Sequence, residues 1–573
     1  MPRSGASRVV LLLLVLAAVT AAAKGASYNA AAVMHPPVGV SYGNSVQGII
    51  SQNLAYYRQY AANASGAQAD IILFPESGTG FLQVPHAYLH YFCEWIPPVG
   101  WKAPNCTGDW TDVGGHMDPS VATIHVPPRR PTDPTTTTTA APVPPPPVPP
   151  TAVGVHAHFA SCLAQRYNFD VVINYCAYNV TNKLYYNIDV GMTKDGHVNA
   201  VYRKSHIVGT GPYLSQPATP DPVVFRSSFG VTFGMFTCYD FWFLEPMRYE
   251  IQMMGVRDFL FPNEMASGAP VLFGPPMSSG WSRHHDVNLV VSASFGTGTT
   301  GLFSRGDTVA LVQPFPNDMM NGRGMTVGRL TSHASTRSAP VTPPRAADAE
   351  AVALVQSHLD SKQPHDLPSA DGEPSPSTCI YGPPVNGLNF SFPCVKFTPS
   401  PGKTFRMSVA AHDAFVGGVC NATITTESSS AKNWVLGAIV ITQPPNLSTP
   451  SGTSNVMCYL FHCDTPDSGC MGMDPAVGWD SDLSVSSVVV HATFGGSMTF
   501  DNTSPYPTFG FEEQGGVNRT GGLKLHTLQR RESAYMFSKA DNRFTVASSA
   551  YLFPGLTNLR MLVFGVYGTS LRT

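Results

Sequence analysis

Short apolar runs punctuate the first 300 residues, and several follow a segment whose apolar positions recur at helical spacing. Val46, Ile49, Ile50 and Leu54 fall on one face of a helix over residues 42–62, and Ile71-Ile-Leu-Phe74 then reads as a buried strand ending in Pro75-Glu76-Ser77-Gly78. Phe159 to Tyr167 followed by Asp170-Val-Val-Ile-Asn-Tyr175 repeats that order. So does Met247 to Met254 followed by Asp258-Phe-Leu-Phe-Pro262, and the order returns before Leu289-Val-Val-Ser-Ala293. Helices alternating with buried strands predict an α/β domain. The run from Val231 to Phe243 is apolar and aromatic and reads as one more buried strand. It carries Cys238 near its end and is followed by Glu245 and Pro246, which open a helix at Met247.

The pattern changes along the chain. Residues 125–151 hold Pro-Pro-Arg-Arg-Pro, five consecutive threonines and four consecutive prolines, a composition that cannot bury a core and reads as an extended surface insertion. A second break, rich in Pro, Ala, Ser and Asp, spans 338–377. Beyond it, runs such as Trp434 to Thr442, Ser487 to Phe494 and Leu559 to Val566 are separated by Gly, Pro and Asn turns. The expected organisation is a leader over 1–23, an α/β domain over 24–337 with the insertion inside it, a linker over 338–377, and a β-rich domain over 378–573.

Composition narrows the function classes. Lys and Arg total 34 against 37 Asp and Glu, for a net charge of −3 with no basic block, so nothing in the charge pattern calls for nucleic acid. Charged residues make up only 12% of the chain, which leaves solubility to another source. Arg3 and Arg8 precede an apolar stretch from Val9 to Val19 and the small residues Ala21-Ala22-Ala23, the layout of a cleaved secretory signal. That apolar core is too short to span a bilayer, and no later run is long enough either. Acceptor triplets for N-glycosylation begin at Asn63, Asn105, Asn179, Asn389, Asn421, Asn446, Asn502 and Asn518. A secreted or lumenal glycoprotein is expected.

In an oxidising compartment the cysteine count matters, and eleven is odd. Cys93, Cys106, Cys162, Cys176, Cys379, Cys394, Cys420, Cys458, Cys463 and Cys470 make ten. The arithmetic does not say which of the eleven stays unpaired; position nominates Cys238. A thiol at a strand-to-helix corner lies near helix N-terminal amides, which favour the thiolate. A cysteine on an apolar strand is also at home as an inert core residue. Two further groups stand at matching places. Glu76 follows one strand, and Lys204 follows another, Val198-Asn-Ala-Val-Tyr-Arg203. Open α/β domains build their sites at the carboxyl ends of strands.

Phe74-Pro-Glu76, Tyr202-Arg-Lys204 and Phe236-Thr-Cys238-Tyr-Asp240 together resemble the three catalytic signatures of the nitrilase superfamily of carbon–nitrogen hydrolases. The leader, the glycosylation triplets, the β-rich C-terminal region, Tyr186-Asn-Ile-Asp189 and the closing Phe564-Gly-Val-Tyr567 resemble its secreted vanin and biotinidase branch. The resemblance runs over residues 41–306 and, more loosely, 379–573. It implies an α-β-β-α sandwich followed by a β-rich, disulfide-containing domain. It also implies an amidase acting on a small linear carboxamide, with Cys238 as nucleophile, Glu76 as acid and base, and Lys204 with the Tyr239 backbone N–H around the oxyanion. No cofactor or metal is implied. Pantetheine is the leading substrate on this resemblance and biotinyl amides the second. An inactive extracellular binding glycoprotein is the reading of another class.

The chain departs from the pattern in two places. Many members carry a second Glu soon after the Lys, but Ser205 to Pro220 holds no acidic residue. Residues 275–288 keep only a Ser-x-Trp echo of the substrate-side helix. Rival constellations are weaker: His206 beside Cys238, a Cys458/His462/Cys463/Cys470 set that suggests zinc but fits disulfides better in an exported chain, and the pairs His156/His158 and His284/His285.

Overall fold

In the computed structural model, residues 26–38, 44–104, 106, 154–207, 214–265, 275–295, 298–312, 322–332, 376–385, 388–412, 416–430, 433–443, 453–463, 483–496, 498–499, 506–513, 528–538, 543–552 and 559–572 are described. The leader, the Pro/Thr-rich insertion and nearly all of the linker lie outside them. Along the first part of the chain run β1 (Ser27–Met34), α1 (Val46–Gly66), β2 (Ile71–Leu73), β3 (Glu94–Trp95), α2 (Val155–Tyr167), β4 (Asp170–Asn179), β5 (Leu184–Met192) and β6 (Val198–Arg203). They are followed by β7 (Val224–Arg226), β8 (Thr232–Met235), α3 (Met247–Gln252), β9 (Asp258–Asn263), α4 (Pro275–His285), β10 (Asn288–Ala293), β11 (Gly301–Ser304), β12 (Asp307–Leu311) and β13 (Gly324–Thr331). Ser45 caps α1 by accepting the Gly48 N–H at 3.0 Å, and Asn168 closes α2 in the left-handed conformation that short polar residues tolerate.

These strands form one sheet in the order β6-β5-β4-β2-β1-β10-β9-β8-β7. β1, β2 and β4 run parallel, and so do β10, β9 and β8, each set joined by helical crossovers. Between the two sets β1 and β10 share one pairing, Met34 with Ala293, while β13 runs antiparallel along all of β1. That narrow seam lets the sheet divide into two layers. The pleat assigns the faces. Ala30, Ala32, Ile71, Leu73 and Val172 from one layer meet Phe233, Met235, Leu260 and Val290 from the other in a shared core. Alternate residues point outward. Ala31, Val33, Ile72 and Ile173 pack with α1 and α2, and Phe259, Phe261, Leu289 and Val291 pack with Trp281 of α4. The result is the expected α-β-β-α sandwich.

One expectation is corrected here. The aromatic run from Val231 to Phe243 is not one strand: β8 ends at Met235, and Cys238–Trp242 forms a 3-10 turn.

Twelve antiparallel strands follow: β14 (Pro376–Val385), β15 (Leu388–Phe397), β16 (Thr404–His412), β17 (Val416–Thr426), β18 (Asn433–Gln443), β19 (Thr453–Cys463), β20 (Val485–Gly496), β21 (Met498–Thr499), β22 (Tyr506–Glu513), β23 (Leu528–Ser538), β24 (Arg543–Leu552) and β25 (Leu559–Arg572). One sheet is ordered β14-β15-β18-β19-β25-β21 with β22 on β25, and the other β16-β17-β20-β24-β23. In β17, buried Cys420, Ala422 and Ile424 alternate with half-buried Asn421 and Thr423, as one face on a core requires. The Cys420–Cys458 disulfide ties β17 in one sheet to β19 in the other, and Cys379–Cys394 joins β14 to β15. Cys93–Cys176 and Cys106–Cys162 brace the α/β part. Eight of the ten expected cysteines are thus paired; the side chains of Cys463 and Cys470 lie outside the described residues. Among those described, Cys238 is free. No described helix is long and apolar enough to cross a membrane.

Of the glycosylation triplets, Asn63 is exposed near the end of α1, while Asn179 and Asn421 are half-buried. The side chains of Asn105, Asn389, Asn446, Asn502 and Asn518 lie outside the described residues.

Candidate active site

β2, β6, β8 and β9 end on the same edge of the sandwich, and each delivers one polar side chain there. Glu76 lies three residues beyond β2, Lys204 one beyond β6, Cys238 three beyond β8 and Glu264 one beyond β9. All three sequence candidates meet. The Lys204 ammonium sits 2.6 Å from Glu76 Oε1, and both groups are buried. Asn187 donates its amide to the same oxygen at 2.7 Å, and the Lys204 backbone N–H donates to the Asn187 carbonyl. Glu76 Oε2 has no partner among the described residues, and the carboxylate interacts directly with the Cys238 thiol.

The turn around Cys238 is strained and heavily braced. Cys238 has φ +50° and Ser77, next to the carboxylate, has φ +53°, in a region where a side chain costs about 1–3 kcal/mol. Thr237 and Asp240 form a reciprocal capping box across the turn. Asp240, fully buried, also accepts from the Tyr202 hydroxyl at 2.7 Å and lies 2.8 Å from both the backbone N and Nδ1 of His206. His206 stacks flat on Phe243 at 3.7 Å, so its ring serves this brace, and the His206–Cys238 pairing considered from sequence is not what the structure builds. Behind the turn, Phe236 and Phe241 pack on Phe261 and Trp281, which gives the Ser-x-Trp echo on α4 a place in the wall.

Further polar groups lie behind these on the inner face of the strands. Asn174 of β4 accepts the Ser77 N–H and donates to Asn187 and to Asp189, each at 2.7 Å. Asp189 in turn accepts the Thr237 hydroxyl at 2.5 Å. Sequence reasoning missed Asn174 and Glu264, and had Asn187 and Asp189 only as part of a family-like string. Glu264 is half-buried; its backbone N–H contacts the Cys238 sulfur and its carboxylate accepts the Gln83 amide. Gln83 is held in turn by the Ser77 hydroxyl at 3.0 Å, so the loops after β2 and β9 are clasped across the sulfur.

Electrostatics define the resting proton positions. Burial and the Glu76 carboxylate push the Cys238 thiol well above its ordinary value, and the opposing pull of Lys204 and the Glu264 N–H is smaller. The preformed thiolate expected from sequence is therefore replaced by a neutral thiol beside a carboxylate. Burial works against the Lys204 charge, but an ionised Cys238 together with the Glu76 and Asp240 carboxylates outweighs it and holds the ammonium above its ordinary value. Burial lifts Asp189 to about 7 against the bonds from Thr237 and Asn174, with Glu76 and Asp240 adding repulsion. A thiol, a carboxylate that can take its proton, and a fixed ammonium beside both are the parts of covalent amide cleavage.

Cys458 is bonded to Cys420, which removes it from the zinc set considered, and His156 pairs with Glu94 at 2.7 Å.

Residues 29–285 match the carbon–nitrogen hydrolase family. Vanin-like protein 1 of Drosophila melanogaster is 33% identical over 132 residues, 22% of this chain and 23% of its own. Pantetheine hydrolase VNN2 of Homo sapiens is 33% identical over 107 residues, 19% of this chain and 20% of its own. The aligned stretches thus span about a fifth to a quarter of these relatives. Saccharomyces cerevisiae Nit3, a solved nitrilase-superfamily member, aligns with a TM-score of 0.37 and 13% identity over 60% of this chain and 97% of its own. Glu76, Lys204 and Cys238 all lie inside the segment that matches the carbon–nitrogen hydrolase family, and the aligned stretches are similar to vanin-like and pantetheine-hydrolase proteins.

Proposed function

We propose that this protein is a secreted, glycosylated amidase that hydrolyses a small linear carboxamide through a thioester on Cys238. One observation carries the reading: Glu76 is held on one oxygen by Lys204 and Asn187 while its carboxylate meets the lone described thiol. Glu76 accepts the thiol proton as sulfur attacks the carbonyl carbon, so no standing thiolate is needed. Lys204 and the backbone N–H of Tyr239, the residue after the nucleophile, hold the tetrahedral oxyanion. Glu76 returns the proton to the departing amine as the C–N bond breaks. It then deprotonates water, which attacks the thioester, and the sulfur leaves as the thiol. The disulfides agree with an oxidising compartment.

The names of the relatives favour pantetheine, cleaved to pantothenate and cysteamine, as the substrate, with biotinyl amides as the second choice. The test is mass spectrometry of the secreted protein after brief exposure to pantetheine or biocytin and an acid quench. An acyl adduct on the Cys238 peptide is expected with pantetheine. An adduct with biocytin alone would move the substrate class. Cys238 recovered in a disulfide would end the amidase reading.

A further inference from the structure

Asp189 has no part in the chemistry above, yet it is fully buried and both of its carboxylate oxygens are engaged. Thr237 donates its hydroxyl to Oδ2 and Asn174 donates its amide to Oδ1. Each donor is itself committed. The Thr237 hydroxyl accepts the Asp240 N–H in the capping box, which leaves its proton for Asp189. Asn174 spends its carbonyl on the Ser77 N–H and shares its amide hydrogens between Asn187 and Asp189. Asn187 then closes on Glu76. Only an acceptor at both Asp189 oxygens fits, because a proton or an amide NH2 at either one would meet a donor head on.

We propose that Asp189 is a positioning residue that locks the loop bearing Glu76 to the turn bearing Cys238, and that the site is competent only with this carboxylate ionised. The chemistry of this proposal rests on the amidase reading; the geometry does not. The surroundings of Asp189 explain why its charge is precarious. Burial is the main cause; Glu76, from the loop after β2, and Asp240, from the 3-10 turn, add repulsion, while Thr237 of that turn and Asn174 of β4 bond the carboxylate and Tyr202 of β6 lies opposite it in register. The Lys204 ammonium is engaged by Glu76, and Asp240 is a second carboxylate served by Tyr202 and His206, so no cation is bonded to Asp189 in this set. Protonation falls near pH 7. It removes one of the two donor bonds and uncouples nucleophile from base.

The test reads the nucleophile without any substrate, so it stays decisive if none of the amides tried is cleaved. Alkylation of Cys238 by iodoacetamide is followed from pH 5 to 9 by peptide mass spectrometry, in the wild type and in Asp189→Asn, Thr237→Ser and Thr237→Val. The rate rises with thiol ionisation over this whole range, and in the wild type an additional fall should set in below a midpoint near pH 7, where Asp189 takes a proton. Asp189→Asn should slow the reaction at pH 8 by roughly 10–100-fold, the worth of one hydrogen bond to a charged group, and erase that midpoint. Thr237→Ser should retain wild-type behaviour, Thr237→Val should reproduce the Asp189→Asn loss, and the Asp189→Asn/Thr237→Val double variant should be no slower than either alone. With an amide substrate, kcat should fall while KM changes little. An unchanged rate and midpoint in Asp189→Asn overturn the proposal. If Asp189→Asn does not fold, the serine and valine variants decide: equal rates in those two overturn it.

Discussion

The two layers on either side of the β1/β10 seam are built alike, with three parallel strands and outer helices, yet they hold opposite parts of the site. The β1 layer presents Glu76, Lys204, Asn174, Asn187 and Asp189. Four of these sit on or just beyond strand pleats, where hydrogen-bonded neighbours fix their direction. The β10 layer presents Cys238 on a strained turn that depends on Thr237, Asp240 and an aromatic wall for its shape. The difference teaches a division of labour. The groups proposed to handle protons are set by register, whereas the proposed nucleophile is set by bracing, and bracing is easier to disturb from a distance.

The sharpest way to break the comparison is at its two chemical ends. Cys238→Ala should remove turnover by on the order of 10⁴-fold or more, since nucleophile loss in covalent hydrolases costs at least that, while circular dichroism stays native. Residual turnover near wild type would place the nucleophile elsewhere. On the β1 layer, Glu76→Gln should cost roughly 10²–10⁴ in kcat, measured with whichever amide forms the adduct. Lys204→Met should lower stability by about 3–5 kcal/mol by leaving the Glu76 carboxylate buried without its cation. The Glu76→Gln/Lys204→Met pair should then lose less than the sum of the singles in urea unfolding.

Trp281→Ala in the β10 layer should cost about 3–5 kcal/mol of stability through the void it leaves behind Phe236 and Phe241. Activity per folded molecule should drop as well, because the wall supports the turn. Full activity in the folded fraction would show that the capping box alone suffices. The smallest effect is in pH. Asp189 holds a proton in the folded state up to about 7 that it releases near 4 when unfolded. Its contribution therefore favours folding at acid pH and is lost as pH rises from about 4 to about 7. Asp189→Asn should flatten that slope between about pH 4 and 7 in urea midpoints; an unchanged slope would assign it to other groups.

What the sequence made legible follows from where polarity interrupts apolar runs. Glu76 and Lys204 each follow such a run and Cys238 lies near the end of one, and the helices over 46–66 and 155–167 show their spacing openly. Asn187 and Asp189 were hidden by the opposite rule. They alternate with Ile188 and Val190, a pattern that reads as a solvent face, and only the register placing Asn174 opposite Asp189 and Asp189 opposite Tyr202 turns that face inward. Glu264 was illegible because its neighbour in space, Cys238, is supplied by a different strand. The over-long strand from Val231 arose because aromatic residues continue through the turn, and hydropathy does not register a single residue at positive φ.

The placing of β1 has a consequence for synthesis. It lies at the centre of the sheet, yet Val33 bonds to Ser292, 259 residues later, and Ser27 to Thr331, 304 residues later. At about 5–20 residues per second, the earliest strand waits roughly ten to sixty seconds on the ribosome before those partners emerge. During that interval an apolar strand with an open edge is a site for pairing with other chains. Nascent chains arrested near residue 240 should accordingly recruit chaperones far more strongly than chains arrested beyond residue 370, and equal recruitment would mean that β1 is sheltered by its own neighbours.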